Sequence, residues 1–213
     1  MAKLSDIRRD YNQANLHLDE MLPHPLDQFQ SWFDQAVKAD ILDPTAMTLA
    51  TADATGRPAA RIVLLKDMDH RGLCFYTHLN SNKAKHLAQN PQAALVFYWP
   101  QMDRQVRFEG AIEQVSQQQS QAYFKSRPLG SQISAIASDQ SQPIASRQLL
   151  EQQAAVVEKQ AQQSSLELPD FWGGYRLIPD QAEFWGGQPN RLHDRFAYTR
   201  QADGSWSIDR LCP

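Results

Sequence analysis

The sequence predicts a mainly β chain with peripheral helices, an α+β fold in which an antiparallel meander closes into a barrel or sandwich. Three observations carry this. Runs of strand character between residues 47 and 115 are separated mostly by short turn-forming stretches, which makes neighbours antiparallel. Residues 114–163 hold 14 glutamines and carry apolar residues at helical spacing. Strand character then returns from Trp172 to Leu211.

Residues 1–25 are polar, mixed in charge and closed by Pro23 and Pro25, as a mobile N-terminal arm or lid would be. Residues 26–213 read as a single domain with helices inserted over about 116–164. Phe29, Trp32, Phe33, Ala36 and Val37 place a helix over 27–40. It stops near Asp43-Pro44, because proline disfavours helical geometry in the residue before it. Residues 47–52, 59–66, 73–77, 93–99 and 105–115 read as strands. Their turns are Asp53-Ala54-Thr55-Gly56, residues 67–72 and Pro100-Gln101-Met102-Asp103. Ser81 is the expected N-cap of a short helix reaching Asn90.

The glutamine-rich tract has the composition of a disordered or aggregation-prone segment, yet its pattern favours helices. Ser116 with Gln119 has the form of a capping box, and Ala122, Tyr123 and Phe124 follow as a core stripe. Pro128 separates a second short helix that starts near Gly130-Ser131. Leu149, Leu150, Ala154, Val157 and Ala161 mark a third. Residues 172–177, 182–185, 195–199 and 205–211 are the closing strands, with Ala202-Asp203-Gly204 as the last hairpin turn.

Hydrophobic residues make up 42% of the 213, enough for a core and against wholesale disorder. A net charge of -3 argues against bulk binding of nucleic acid. The nine glycines form neither G-x-G-x-x-G nor G-x-x-x-x-G-K-[ST]. Cys74 and Cys212 are too few for a disulfide framework or a zinc cluster, so no metal is expected, and Cys74 reads as a buried small hydrophobe. The longest apolar run, residues 93–99, is too short to span a bilayer, and the N-terminus lacks a signal-peptide pattern. A cytoplasmic protein without membrane or nucleic-acid partners is expected.

Three stretches hold side chains suited to chemistry. In Arg61-Ile62-Val63-Leu64-Leu65-Lys66, alternation puts Arg61 and Lys66 on opposite faces. They can serve two anions across a strand, or be solvated strand ends. Tyr123 and Arg127 share a helix face and Ser131 opens the next helix. Hydroxyl, guanidinium and helix N-terminus can converge on a phosphate, or the pair can be a surface contact. Arg191, His193 and Arg195 point to one side if extended, where they would repel unless an anion or electron-rich ligand lies among them. The alternative is a loop salt-bridged through Asp194. Phe184-Trp185-Gly186-Gly187 adds an aromatic beside glycines that admit a planar ligand close to the backbone. H-E-x-x-H and G-x-S-x-G are both missing, and His17, His24, His70, His78 and His86 read as surface residues. Asp43 suits either an acid–base role or the helix stop.

To these are added, in order along the chain, Arg8-Arg9-Asp10-Tyr11, Asp43-Pro44-Thr45-Ala46-Met47, Phe75-Tyr76-Thr77, Arg104-Gln105-Val106-Arg107, Ser126-Arg127-Pro128, Phe171-Trp172-Gly173-Gly174 and Ile208-Asp209-Arg210-Leu211. With these motifs the chain resembles the pyridoxine/pyridoxamine 5'-phosphate oxidase family over nearly its whole length. The resemblance implies a split β-barrel of the FMN-binding type, a homodimer with FMN at the subunit interface. FMN would meet Arg61, Ile62, Val63, Leu64, Leu65, Lys66, Tyr76, Thr77, Lys83, Gln105, Gln140, Ser141, Trp185 and Arg195. The substrate phosphate would meet Lys66, Tyr123, Arg127 and Ser131. Arg191 and His193, the expected catalytic residues, would hold the pyridine ring, and Arg8 and Tyr11 would reach in from the arm.

The implied reaction oxidises pyridoxamine or pyridoxine 5'-phosphate to pyridoxal 5'-phosphate in vitamin B6 salvage. A hydride leaves C4' for flavin N5, and dioxygen reoxidises the flavin to give hydrogen peroxide. One departure stands out: Ser81-Asn82-Lys83 replaces the Ser-Arg-Lys common in the family, exchanging a cation near the FMN phosphate for an amide. A split-barrel flavin reductase, a flavin or pyridoxal phosphate carrier and a nucleic-acid binder are the competing readings. A reductase would not need Tyr123, Arg127 and Arg191 together.

Overall fold

In the computed structural model, which describes residues 3–6, 9–11 and 14–213, alternation and turn chemistry produce one nine-stranded antiparallel sheet. Its strands are β1 (Ala46–Ala52), β2 (Pro58–Leu64), β3 (Asp67–Asp69), β4 (Gly72–His78), β5 (Gln92–Trp99), β6 (Arg104–Gln114), β7 (Trp172–Gly186), β8 (Asp194–Arg200) and β9 (Trp206–Arg210). They run in the order β2-β1-β5-β6-β7-β4-β3, with β8 added to β7 and β9 to β8. The helices are α1 (Pro25–Lys38), α2 (Asn82–Gln89), α3 (Gln117–Ser126), α4 (Leu129–Ala137) and α5 (Arg147–Ala161).

The sheet forks on β7. Its first half pairs with β4 and its second half with β8, while β6 runs along the opposite edge throughout. At the open seam the Lys66 N–H donates to the Cys74 carbonyl at 2.9 Å, bringing the end of β2 to β4. The sheet thus curls toward closure without zipping shut, the geometry of a split barrel.

Burial follows the strand period. On β1 the buried positions are Met47, Leu49 and Thr51; Met47 and Leu49 join the core with α1, β5 and β6, while Thr51 faces His86 of α2. Phe29 of α1 is fully buried, 4.6 Å from Phe97 and 5.4 Å from Phe108 between ring centroids. Trp32 meets Phe184 edge-on at 5.2 Å. Burying each such ring contributes about 1.5–3 kcal/mol. A second, smaller core of Phe124, Ile133, Val157, Leu166 and Trp172 fastens α3, α4 and α5 to the start of β7.

Some expectations change. Residues 172–177 and 182–185 belong to one continuous strand. Part of the 67–72 turn is β3, a short partner of β4. Ser81 precedes α2 but makes no side-chain cap; its Oγ accepts from Lys83 Nζ at 3.4 Å, and Ser141 Oγ takes the Asn82 N–H at 3.3 Å instead. Only half of the capping box forms: Ser116 Oγ accepts the Gln119 N–H, while the Gln119 amide donates to Asp67 at 3.1 Å.

Candidate active site

The largest cavity, about 760 Å³, opens where β2, β4 and α2 face the helices after β6. Arg61, Ile62, Val63, Leu64, Lys66, Tyr76, Thr77, Lys83, Tyr123, Arg127 and Gln140 line it. Eleven of the residues singled out from sequence therefore converge, although they span eighty positions of chain.

At one end, buried Lys83 donates to Gln140 Oε1 at 2.6 Å and to Thr77 Oγ1 at 3.1 Å, and Thr77 Oγ1 donates to the same Gln140 oxygen at 3.0 Å. Burial, and then the nearby Arg61 charge, hold the Lys83 ammonium down to about 8. Its partners among the described residues, Thr77, Ser81 and Gln140, are all neutral, so none of them supplies a counter-ion. At the other end, Arg127 lies over the Trp172 ring at 4.8 Å. Tyr76, Tyr123 and Trp172 form a stack, with Tyr76 and Tyr123 4.0 Å apart. Burial pushes the Tyr76 hydroxyl up to about 12, so it stays protonated. Arg127 Nη1 is buried without a hydrogen-bond acceptor among the described residues, a costly state unless an anion supplies one. Among the lining residues the one carboxylate, Glu151, is taken by Arg147 at 2.7 Å.

Gly174 makes the stack possible. A Cβ there would lie 2.6 Å from Tyr76 Cε1 and 2.7 Å from Val115 Cγ2.

Other expected residues sit elsewhere. Leu65 turns into the core. Ser131 does not line the cavity; Ser134, one turn later on α4, does. Ser141 caps α2 from a left-handed conformation, φ 74°. Gln105, Trp185 and Arg195 form a cross-strand row on β6, β7 and β8, away from the cavity. There His193 packs on Trp185 at 4.7 Å and on Tyr11 at 5.3 Å. Gly187 leaves room for Tyr11, whose Cδ1 would be 2.6 Å from an added Cβ. Arg8 lies outside the described residues.

The 191–195 stretch is extended only from Asp194, where β8 begins. Asn190 and Arg191 take left-handed φ values of 56° and 62° after Pro189. Arg195 is clamped by buried Glu183, Nε to Oε1 at 3.0 Å and Nη2 to Oε2 at 2.8 Å. Asp194 pairs with Arg210 and accepts the Leu16 N–H at 3.0 Å. His193 Nδ1 accepts the Gln188 N–H at 3.0 Å, so the neutral ring carries its proton on Nε2. Burial, then Arg191, lower its pKa, which favours the neutral ring.

The described arm residues are tied to these strand ends. Arg9 donates to the Pro100 carbonyl at 2.8 Å and pairs with Asp103, and Arg210 donates to the Leu16 carbonyl at 2.7 Å. Sequence reasoning missed Trp172, His78, Ser134 and Arg147 in the cavity wall. Trp172 carried a signal, being strand-initial beside two glycines. Ser134 and Arg147 lie on helix faces and His78 at the end of β4, positions that only packing selects.

His24, Asp27 and His70 bring ligand-type atoms within 4.8 Å of one another. His24 Nδ1 there already accepts the Leu26 N–H at 3.3 Å, and the cluster is read as a helix cap beside a hairpin tip. Among the described residues no helix is long and apolar enough to cross a membrane.

The fold and cavity define a class: an open antiparallel barrel with an aromatic, cation-lined pocket suited to phosphorylated planar ligands. Residues 33–161 match the family model described as pyridoxamine 5'-phosphate oxidase, and residues 172–213 match the pyridoxine 5'-phosphate oxidase C-terminal dimerisation region. The chain belongs to the pyridoxamine 5'-phosphate oxidase family. It is 51% identical over 210 residues to a pyridoxine/pyridoxamine 5'-phosphate oxidase of a Cyanothece species, covering 99% of this chain and 98% of the relative. It is 49% identical over the full length of both chains to pyridoxine/pyridoxamine 5'-phosphate oxidase 1 of Ralstonia nicotianae. Among solved structures, PhzG of Burkholderia lata in complex with tetrahydrophenazine-1-carboxylic acid superposes with a TM-score of 0.88 at 29% identity, covering 94% of this chain and 99% of that one. A pyridoxamine 5'-phosphate oxidase-related, FMN binding protein from Nostoc punctiforme shares the fold, with a TM-score of 0.72 at 20% identity over 91% of this chain and all of that one.

Proposed function

We propose that this chain is an FMN-dependent oxidase that converts pyridoxamine 5'-phosphate and pyridoxine 5'-phosphate to pyridoxal 5'-phosphate, acting as a cytoplasmic homodimer with FMN at the subunit interface. The observation that carries this reading is the cavity with two anion-seeking ends. Among the described residues, Lys83 and Arg61 have no acidic partner at one, and Arg127 has an unfilled donor at the other. Its volume suits a cofactor with a small substrate.

When bound, FMN supplies the hydride-accepting chemistry, and dioxygen reoxidises it with release of hydrogen peroxide. In this proposal Arg61, Lys83, Thr77, Gln140 and Ser141 hold the cofactor phosphate, with Ile62, Val63 and Leu64 along the ring. Tyr123, Arg127 and Lys66 take the substrate phosphate, and Ser131 acts through the α4 N-terminus. Gln105, Trp185, Arg195, Arg191, His193 and Tyr11 come from the partner subunit, since within one chain they stand apart from the cavity. His193 Nε2–H donates to the substrate and orients it; Arg191 presses the pyridine ring into reacting distance. The arm, residues 1–25 with Arg8, closes over the ring.

The test is direct. The purified protein should be yellow and release peroxide with pyridoxamine 5'-phosphate. A yellow protein without peroxide favours a reductase or carrier, and a colourless one that FMN cannot reconstitute rejects the flavin reading.

A further inference from the structure

We propose that Thr51 and His86 form a positioning relay that fixes the Arg61 guanidinium at the phosphate end of the cavity, an inference that rests on the flavin reading above. Arg61 of β2 stands opposite Leu49 of β1. Its Nη1 donates to the Leu49 carbonyl at 3.0 Å and to Thr51 Oγ1 at 2.8 Å. Thr51 Oγ1 lies 3.2 Å from His86 Nδ1 on α2.

A guanidinium only donates, so Thr51 oxygen is the acceptor toward Arg61. The hydroxyl keeps its own proton, and the relay takes the His86 tautomer with its proton on Nε2, in which Nδ1 accepts from Thr51. Both Nη1 hydrogens are thus spent on protein, and the guanidinium plane is set. Nε and Nη2 take no protein acceptor among the described residues and remain for an anion, while Arg61 lines the cavity. Thr51 is 4% exposed, and neither it nor His86 lines the cavity, so both act through Arg61. His86 follows Lys83 by three positions on α2. That helix thus supplies one cation directly and orients a second through Thr51.

The relay predicts a phosphate-specific effect. The full chain stripped of flavin would be titrated with FMN and, in parallel, with riboflavin, which has the ring and no phosphate. Thr51→Val and His86→Leu should each weaken FMN binding on the order of tenfold, as expected when a charged hydrogen bond loses its geometry. Riboflavin binding should be unchanged. Thr51→Ser and His86→Gln keep the hydroxyl or an acceptor and should restore FMN affinity. In an Arg61→Ala background, Thr51→Val should add nothing. Equal losses for FMN and riboflavin, or wild-type FMN affinity in both Thr51→Val and His86→Leu while Arg61→Ala weakens it, would overturn the relay and leave the flavin reading standing. Unchanged FMN affinity in Arg61→Ala would remove that reading at Arg61, and the relay with it.

Discussion

Buried Lys83 and half-buried Arg127, neither with a counter-ion among the described residues, say most about what the cavity is for. Arg127→Ala should raise KM for pyridoxamine 5'-phosphate by about 10- to 100-fold, equivalent to about 1.5–3 kcal/mol for charge-assisted hydrogen bonds, with little change in FMN affinity. Steady-state kinetics beside a flavin titration would check this. Lys83 carries a pH signature. Its folded value of about 8 lies below the free value of 10.5. In that window the unfolded chain holds the proton and the flavin-free fold does not, so this group's contribution to stability grows as pH rises from about 8 to 10.5. FMN binding should move the opposite way, weakening as pH passes about 8 and the ammonium is lost. Lys83→Met should flatten the FMN affinity profile between about pH 7 and about pH 9.5.

At the level of elements, β7 and α2 do most of the positioning. Sequence alone divided β7 at Pro179-Asp180, since proline removes a ladder donor. In the fold, the register shift between Glu109 and Gly110 of β6 falls opposite Pro179 and absorbs the irregularity, so one strand serves both halves of the fork. Near its start, Gly174 lets the Tyr76 ring lie against the strand. Gly174→Ala should displace Tyr76 from its stack with Tyr123 and Trp172. The expected result is a raised KM and an unfolding free energy lower by about 1–3 kcal/mol, the usual cost of overpacking, read from urea denaturation. The relay through Thr51 and His86 is a contact between elements too: β1 and β2 meet as a hairpin, and α2 packs against β1.

Considered whole, one chain holds two incomplete constellations. The cavity has the cations Arg61, Lys66, Lys83 and Arg127, and the β6–β8 face has Trp185, His193 and Arg191. Most of the second group lies within residues 172–213, the stretch that matches the family's dimerisation region. If each site takes one constellation from each subunit, two inactive variants should complement. Assayed at substrate well below KM, where both homodimers are nearly inactive, Arg127→Ala and Arg191→Met should regain about a quarter of wild-type activity after unfolding and refolding as a mixture, since half the dimers would carry one intact site. Absence of any recovery, with mixed dimers verified by mass, would place both constellations in one subunit. Arg191→Met alone should lower turnover of pyridoxine 5'-phosphate while FMN stays bound, because its proposed role is positioning the ring.

Local signals settle much of this protein. Strand alternation, the Pro44 and Pro128 breaks and the helical stripes are short-range properties, so the meander, the inserted helices and most cavity residues were legible from sequence. The motif 61–66 announced its cations, and Tyr123 with Arg127 announced theirs. What remained depends on contacts distant in sequence. That Arg195 is spent on Glu183, that His193 presents a donor, that Leu65 is core and that Trp172 walls the cavity all follow from register and packing. A residue's type states which bonds it can make; only the curled sheet determines which partners lie within reach.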